Sequence, residues 1–273
     1  IRSWLLTITF VYFQGIQHVL LKNVHVSHRG NDLDNCGDWT LPCRSVRYAV
    51  KISSANDAIY IDYAKGKPYK ECEHENHAII LNKSLSFHGI NGRTVLHCGE
   101  TLTSFFVINN PAYTTSKIRF SNLSLASRGI VVDAYKYGQA FGQSNSIFSF
   151  FELGFNFCDI ESSSYFVKVL SLSCSLEVLY SNIQSDYDPI HMECSNLTAR
   201  LTGSKFASCA VYLSSGDLQS FSFNVHIYDC SFLPPKKQKS CSAFAIILPG
   251  SAKCNITIKS SIFMNLYNLA KMP

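Results

Sequence analysis

The sequence predicts an all-β fold, a right-handed parallel β-helix (a solenoid of stacked coils) with a short N-terminal capping helix. Three observations carry the prediction. A short apolar–polar–apolar pattern recurs along most of the chain. The composition favours strands over helices. A single amphipathic helix stands ahead of the first copies, and none is recognisable from about Ala78 onward.

The repeat is two apolar residues one apart, a small polar corner, then another apolar residue. It reads Ile118-Arg119-Phe120-Ser121-Asn122-Leu123, then Phe155-Asn156-Phe157-Cys158-Asp159-Ile160, then Val178-Leu179-Tyr180-Ser181-Asn182-Ile183. Further copies begin at Val225 and Ile256, with a looser one from Ala199 to Phe206. Aligned on Phe120, Phe157, Tyr180, Leu201, Ile227 and Ile258, the copies lie 37, 23, 21, 26 and 31 residues apart. Periods of this size built only from short strands are the mark of a solenoid. Each copy fits a strand, a corner where Asn, Asp, Gly or Ser accepts unusual backbone angles, and a second strand. Those six aligned residues should therefore form one inward ladder, with the sequon asparagines Asn122 and Asn255 near corners. A β-sandwich also suits short strands with turn signals. The likeness among copies and the leading helix favour the solenoid.

Charged residues are 16% of the chain and aromatic ones 13%, against roughly 25% charged in ordinary soluble domains. Such a composition suits much interior and many strand-favouring side chains. The net charge of +5 is spread out. Its one basic run, Pro234-Pro235-Lys236-Lys237-Gln238-Lys239, reads as a solvated loop, so a nucleic-acid partner is not expected.

The leading helix follows Pro42, with Val46, Ala49, Val50 and Ser53 at helical spacing. Asn56-Asp57 breaks it, and Ala58-Ile59-Tyr60-Ile61-Asp62-Tyr63 reads as a strand. Ahead of it, Arg2 and the apolar run Trp4–Phe13 match a secretory signal and are too short to span a bilayer. The organisation read from this is a signal peptide over 1–17 and a leader strand over 18–34. The cap helix and first strand occupy 35–69, and coils run over 70–273 and continue past the last residue.

Eleven cysteines and four sequons, at Asn82, Asn122, Asn196 and Asn255, point to an oxidising, extracellular compartment, and all four asparagines are expected to carry glycans. Cys36 and Cys43 flank a short loop containing Gly37 and Pro42 and are expected to pair. Cys72 is expected to pair with Cys98 one coil later, whereas Cys158 and Cys230 suit small buried corner positions.

The segment Cys36-Gly37-Asp38-Trp39-Thr40-Leu41-Pro42-Cys43, the helix after it, Asp57-Ala58-Ile59-Tyr60-Ile61 and Gly66-Lys67-Pro68-Tyr69 together resemble the opening of pectin-lyase-like right-handed β-helix proteins. The flanking cysteines resemble the extracellular type of invertebrate animals, some of them receptor ectodomains. The resemblance implies the fold more than the function, because one fold hosts many functions. Lyases of that family hold calcium on clustered aspartates, and its hydrolases use three aspartates and a Gly-His-Gly turn. Neither pattern is found here.

Asp186-Tyr187-Asp188 is a close carboxylate pair beyond residue 100, and it reads best as a turn before Pro189. His74-Glu75-Asn76-His77 lacks a third metal ligand. The aromatic, glycine-rich stretch over 135–145 interrupts the repeat and reads as a projecting loop. Its Tyr135, Tyr137, Phe141 and Asn145 are candidate binding residues. The expected function is a non-enzymatic secreted or cell-surface ectodomain that needs no cofactor and binds a glycan or an extracellular protein. A membrane would be reached only through an anchor outside this chain. A lyase or hydrolase with divergent catalytic coils and a structural spacer are the alternatives.

Overall fold

A computed structural model describes residues 22–72, 78–98, 104–108, 115–134, 150–186, 189–208, 211–214, 222–234, 244–247 and 253–264. The chain is a parallel β-solenoid. Each coil contributes a strand to a first face, another to a second face and another to a third, and then returns to the first. Along the first face lie Asn23–Val26, Ala58–Asp62, Leu85–Ile90, Thr115–Ser121 and Phe150–Asn156, each parallel to the next. The second face is an eight-stranded sheet from Tyr69–Lys70 to Ile262–Phe263.

Two 13-residue strands, Val167–Leu179 and Ile190–Thr202, pass from the third face to the first without a break. Their mutual ladder skips only Leu172 and Ser195. Inward and outward residues change phase there, which is how an extended chain rounds a corner without a loop.

Period-two alternation turns every second residue of a strand into the solenoid. Register pairing stacks Val24, Ile59, Phe87, Phe120, Phe155, Val178, Leu201, Ile227 and Ile258 into one ladder. At its middle the rings of Phe87, Phe120 and Phe155 stack nearly parallel, with centroids 5.1 and 5.2 Å apart. Phe206, Phe232 and Phe263 make a second stack under the second face at 4.9 and 4.7 Å. Burying such rings, each worth about 1.5–3 kcal/mol, is the main favourable contribution here.

The corner after the first face repeats as strictly as the strands. Asn122, Phe157, Tyr180, Gly203, Asp229 and Ser260 all have φ between 48° and 57°. Each of the first five donates its backbone N–H to a carbonyl of the next coil, at 2.8–3.1 Å. The residue after Asn122 is the buried Leu123, and from Phe157 onward the following residue is small: Cys158, Ser181, Ser204, Cys230 or Ser261. The Ser181 hydroxyl accepts from the Cys158 N–H at 3.1 Å, and that of Ser204 from the Ser181 N–H at 3.1 Å. The Ser181 hydroxyl donates in turn to the Leu179 carbonyl and that of Ser204 to the Thr202 carbonyl. Buried backbone amides are thus satisfied where the sheets part. Cys158 and Cys230 occupy two rungs of this serine row as buried free thiols.

The leading helix spans Val46–Ile52 and buries Val46, Ala49 and Val50. Its first amides are fully used: Ser45 caps Tyr48, and the Glu71 carboxylate accepts from the Val46 and Arg47 N–H groups at 2.8 and 3.1 Å. Asp57, inside the resembling segment, is structural. Its carboxylate accepts from the backbone of Lys22 and Ser54. The expected signal peptide over 1–17 lies outside the described residues, and a role for the helix as cap over the end of the solenoid stays an expectation.

One expectation needs correction. Phe120, Leu201, Ile227 and Ile258 stand in the ladder, but Phe157 and Tyr180 do not. They are corner residues, 51% and 55% exposed, and their ladder places belong to Phe155 and Val178. The copies are 35, 23, 23, 26 and 31 residues apart once framed on Phe120, Phe155, Val178, Leu201, Ile227 and Ile258. Counting by twos along a strand holds only while the backbone is extended. At Phe157 and Tyr180 it has turned left-handed, and the side chain swings outward. Asn255 also departs from expectation, lying within the strand Lys253–Lys259 rather than at a corner.

Two substitutions two residues apart test this frame. Phe155→Asp should abolish folding or cost several kcal/mol, because an unpaired buried charge cannot be hydrated. Phe157→Asn should leave the fold intact and shift Tm by a few degrees at most, since Asn tolerates the left-handed region. Ile227→Asp should behave like Phe155→Asp. Thermal melts of the purified proteins decide it, and equal tolerance at 155 and 157 would refute the frame.

Candidate functional site

The best-formed candidate lies on the first coils, outside the first face. Outward positions in register bring His25, Tyr60 and His88 into one row. Their rings stack with centroids 5.5 and 5.2 Å apart. The row ends where the His88 Nδ1 meets the Ser121 hydroxyl at 2.5 Å. Strand spacing of about 4.8 Å places neighbouring rings at stacking distance without adjustment.

Trp39 completes the row from outside the sheet. It sits on the loop closed by the Cys36–Cys43 disulfide, whose Cα atoms are 4.9 Å apart. Asp38 fixes the loop's apex by accepting from both the N–H and the hydroxyl of Thr40, each at 3.0 Å. Those two bonds hold the Asp38 carboxyl below the usual carboxylate range. The Trp39 ring meets His25 edge to face at 4.8 Å and stays 62% exposed. Beside it opens a shallow cavity of about 180 Å³, walled by His25, Trp39, Pro42, Asp62 and Ile90. Asn91 donates to the Asp62 carboxylate at 2.9 Å, which holds an acceptor at the cavity's edge. The arrangement offers an open aromatic face with a hydrogen-bonding carboxylate beside it, the usual makings of a small polar-ligand site.

Of the predicted site residues, the structure pairs all four cysteines as expected: Cys36 with Cys43, and Cys72 with Cys98 at a Cα separation of 4.8 Å. It adds Cys174–Cys194. Asp32, Cys36 and Cys43 lie close enough to hold a metal, but the disulfide takes both sulfurs. Tyr135, Tyr137, Phe141 and Asn145 lie outside the described residues, as do the His74–His77 segment and Tyr187-Asp188. Asn82, Asn196 and Asn255 are exposed, whereas Asn122 is half-buried.

Sequence reasoning missed the row, and the reason is plain. His25, Tyr60 and His88 are far apart in the chain and become neighbours only through register. Trp39 was in view within the disulfide loop, without any sign that it would face a histidine. Two other surface groups were missed likewise. Phe157 stacks on Tyr180 at 5.3 Å along the corner row. On the third face His191 stacks on Tyr212 at 4.5 Å and meets Glu193 at 2.9 Å, with Lys168 one coil away in register. No known family model, curated protein or solved structure matches the chain.

The row should be sensitive to mild acid. Burial holds the His88 ring below its ordinary value, and burial does the same for His25 although Asp38 opposes it. An unfolded histidine takes up its proton near pH ~6.5. Below that the unfolded state binds more protons than the folded one, so stability is present above pH ~6.5 and is lost as pH falls through the lower folded values. Tm of the parent should therefore decline from pH 7 to 5 more steeply than that of His88→Gln. Comparison with the variant cancels the carboxylates, among which burial pushes Glu71 up, while at Glu152 burial is outweighed by Arg119 and Lys117 and the carboxyl lies low. Parallel curves would show that His88 does not titrate in this window.

Proposed function

We propose that this chain is a secreted or cell-surface binding module, a right-handed β-helix of the pectin-lyase-like extracellular type, which recognises a glycan without cleaving it. The observation that carries the reading is the exposed Trp39 ring set beside the Asp62 carboxylate at the end of the His25–Tyr60–His88 row. A sugar ring presents C–H groups on its flat face and hydroxyls at its rim. The first suit an aromatic face and the second a carboxylate acceptor. Asp38 precedes Trp39 in the chain and Asp62 walls the same cavity, so a neutral sugar fits better than a sulfated or uronic one. Three disulfides fit an oxidising compartment.

The test is binding of the purified protein to immobilised neutral and acidic oligosaccharides. A neutral glycan should be retained, and Trp39→Ala should weaken it about tenfold, the loss of a stacking contact of about 1.4 kcal/mol. Asp62→Asn should weaken it less. Retention of acidic glycans alone, or of a protein partner insensitive to Trp39→Ala, would overturn the reading. So would turnover of polygalacturonate, with or without calcium, that Asp186→Ala abolishes.

A further inference from the structure

The four sequons are alike in sequence and unlike in structure. Asn122 stands at the left-handed corner with φ 53°. Its side-chain amide donates to the Gly89 carbonyl at 2.9 Å and to the Gly92 carbonyl at 3.2 Å. An amide nitrogen has two hydrogens, and both are spent here. A carboxamide facing two carbonyls can offer only its nitrogen, so the orientation is fixed. Space is closed as well: a Cβ added to Gly89 would lie 2.1 Å from the Asn122 carbonyl oxygen.

The other three differ. Asn82 is exposed in the turn ahead of Leu85–Ile90. Asn196 is exposed on the first face, flanked in register by Ser173 and Ser222, which are too small to obstruct it. Asn255 is exposed, and its amide donates once, to the side-chain Oδ1 of Asn224 at 3.3 Å. A glycosylated amide keeps one hydrogen, so that bond survives modification.

We infer that Asn82, Asn196 and Asn255 carry N-linked glycans in the folded protein, and that Asn122 does not because its amide clamps two coils together. The inference rests on the export proposed above. A glycan at Asn122 would remove one donor and put bulk between coils already in contact, so a chain modified there could not close the corner. Asn196 and Asn255 also place their glycans on the later part of the first face, away from the aromatic row of the first coils.

The experiment is expression of the chain behind a secretory signal in a glycosylating cell, followed by enzymatic glycan release in heavy-oxygen water and peptide mass spectrometry. Peptides holding Asn82, Asn196 and Asn255 should show the Asn-to-Asp shift with label, and that holding Asn122 should not. Ser124→Ala destroys the sequon and leaves the clamp, so yield and intact mass (beyond the lost oxygen) should match the parent. Asn122→Gln destroys both, and secretion should fall severalfold. A labelled Asn122 peptide, or loss of one glycan mass in Ser124→Ala, would overturn the inference. An empty site at Asn82, Asn196 or Asn255 beside two occupied ones would overturn it for that site. Absence of glycan from all three sites in secreted protein would overturn the inference outright, whereas a chain that fails to leave the cell behind that signal would count against the export reading on which it rests.

Discussion

Each coil must leave its first-face strand through a sharp bend without stranding a buried amide. The backbone turns left-handed for one residue, whose N–H still reaches a carbonyl of the next coil. The residue after it points inward, where a serine hydroxyl or a thiol fits beneath the bend. Strand register, the inward ladder and the outer rows all follow from keeping this bend aligned from coil to coil. A left-handed Phe or Tyr costs of order 1 kcal/mol or more against Asn or Gly. Phe157 and Tyr180 recover part of that by stacking on each other, and the Tyr180 ring lies over Gly203, where a Cβ would come within 2.5 Å of it.

Much of the architecture was legible because the repeat is chemical as well as numerical. Apolar pairs one apart, followed by Asn, Asp, Gly or Ser, announce a strand and its corner, and the helix after Pro42 showed its apolar stripe plainly. The frame error at Phe157 and Tyr180 arose where the corner type is aromatic, so that an outward ring passed for an inward one. The small residue that follows would have given the frame: Cys158, Ser181, Ser204, Cys230 and Ser261 align the copies without reference to apolar residues. Disulfides within the lead loop and across one coil could be read from spacing, whereas Cys174–Cys194 could not, because it joins neighbouring coils through the corner of the two long strands.

The outer surface was much less legible. Inward positions are constrained by every neighbour and so repeat, but an outward position answers only to the residue one coil above and below. His25, Tyr60 and His88 share one row, yet the same row continues as Ser121, Asn156 and Leu179. No periodic signal can reveal a group confined to three coils. Likewise Lys117 and Arg119 flank Glu152 across one strand boundary, with Lys117 3.2 Å from the carboxylate, and no sequence spacing relates them.

The two strands that round the third corner without a loop have a consequence of their own. At Leu172 and Ser195 the ladder is interrupted for a single residue, and Cys174–Cys194 ties the coils together beside that point. Proteolytic cleavage needs several residues of extended chain drawn free of their partners. At this corner a protease would have to peel hydrogen-bonded strands apart against a covalent tie. Wear would therefore begin at other connections, with the strands Val167–Leu179 and Ile190–Thr202 surviving longest.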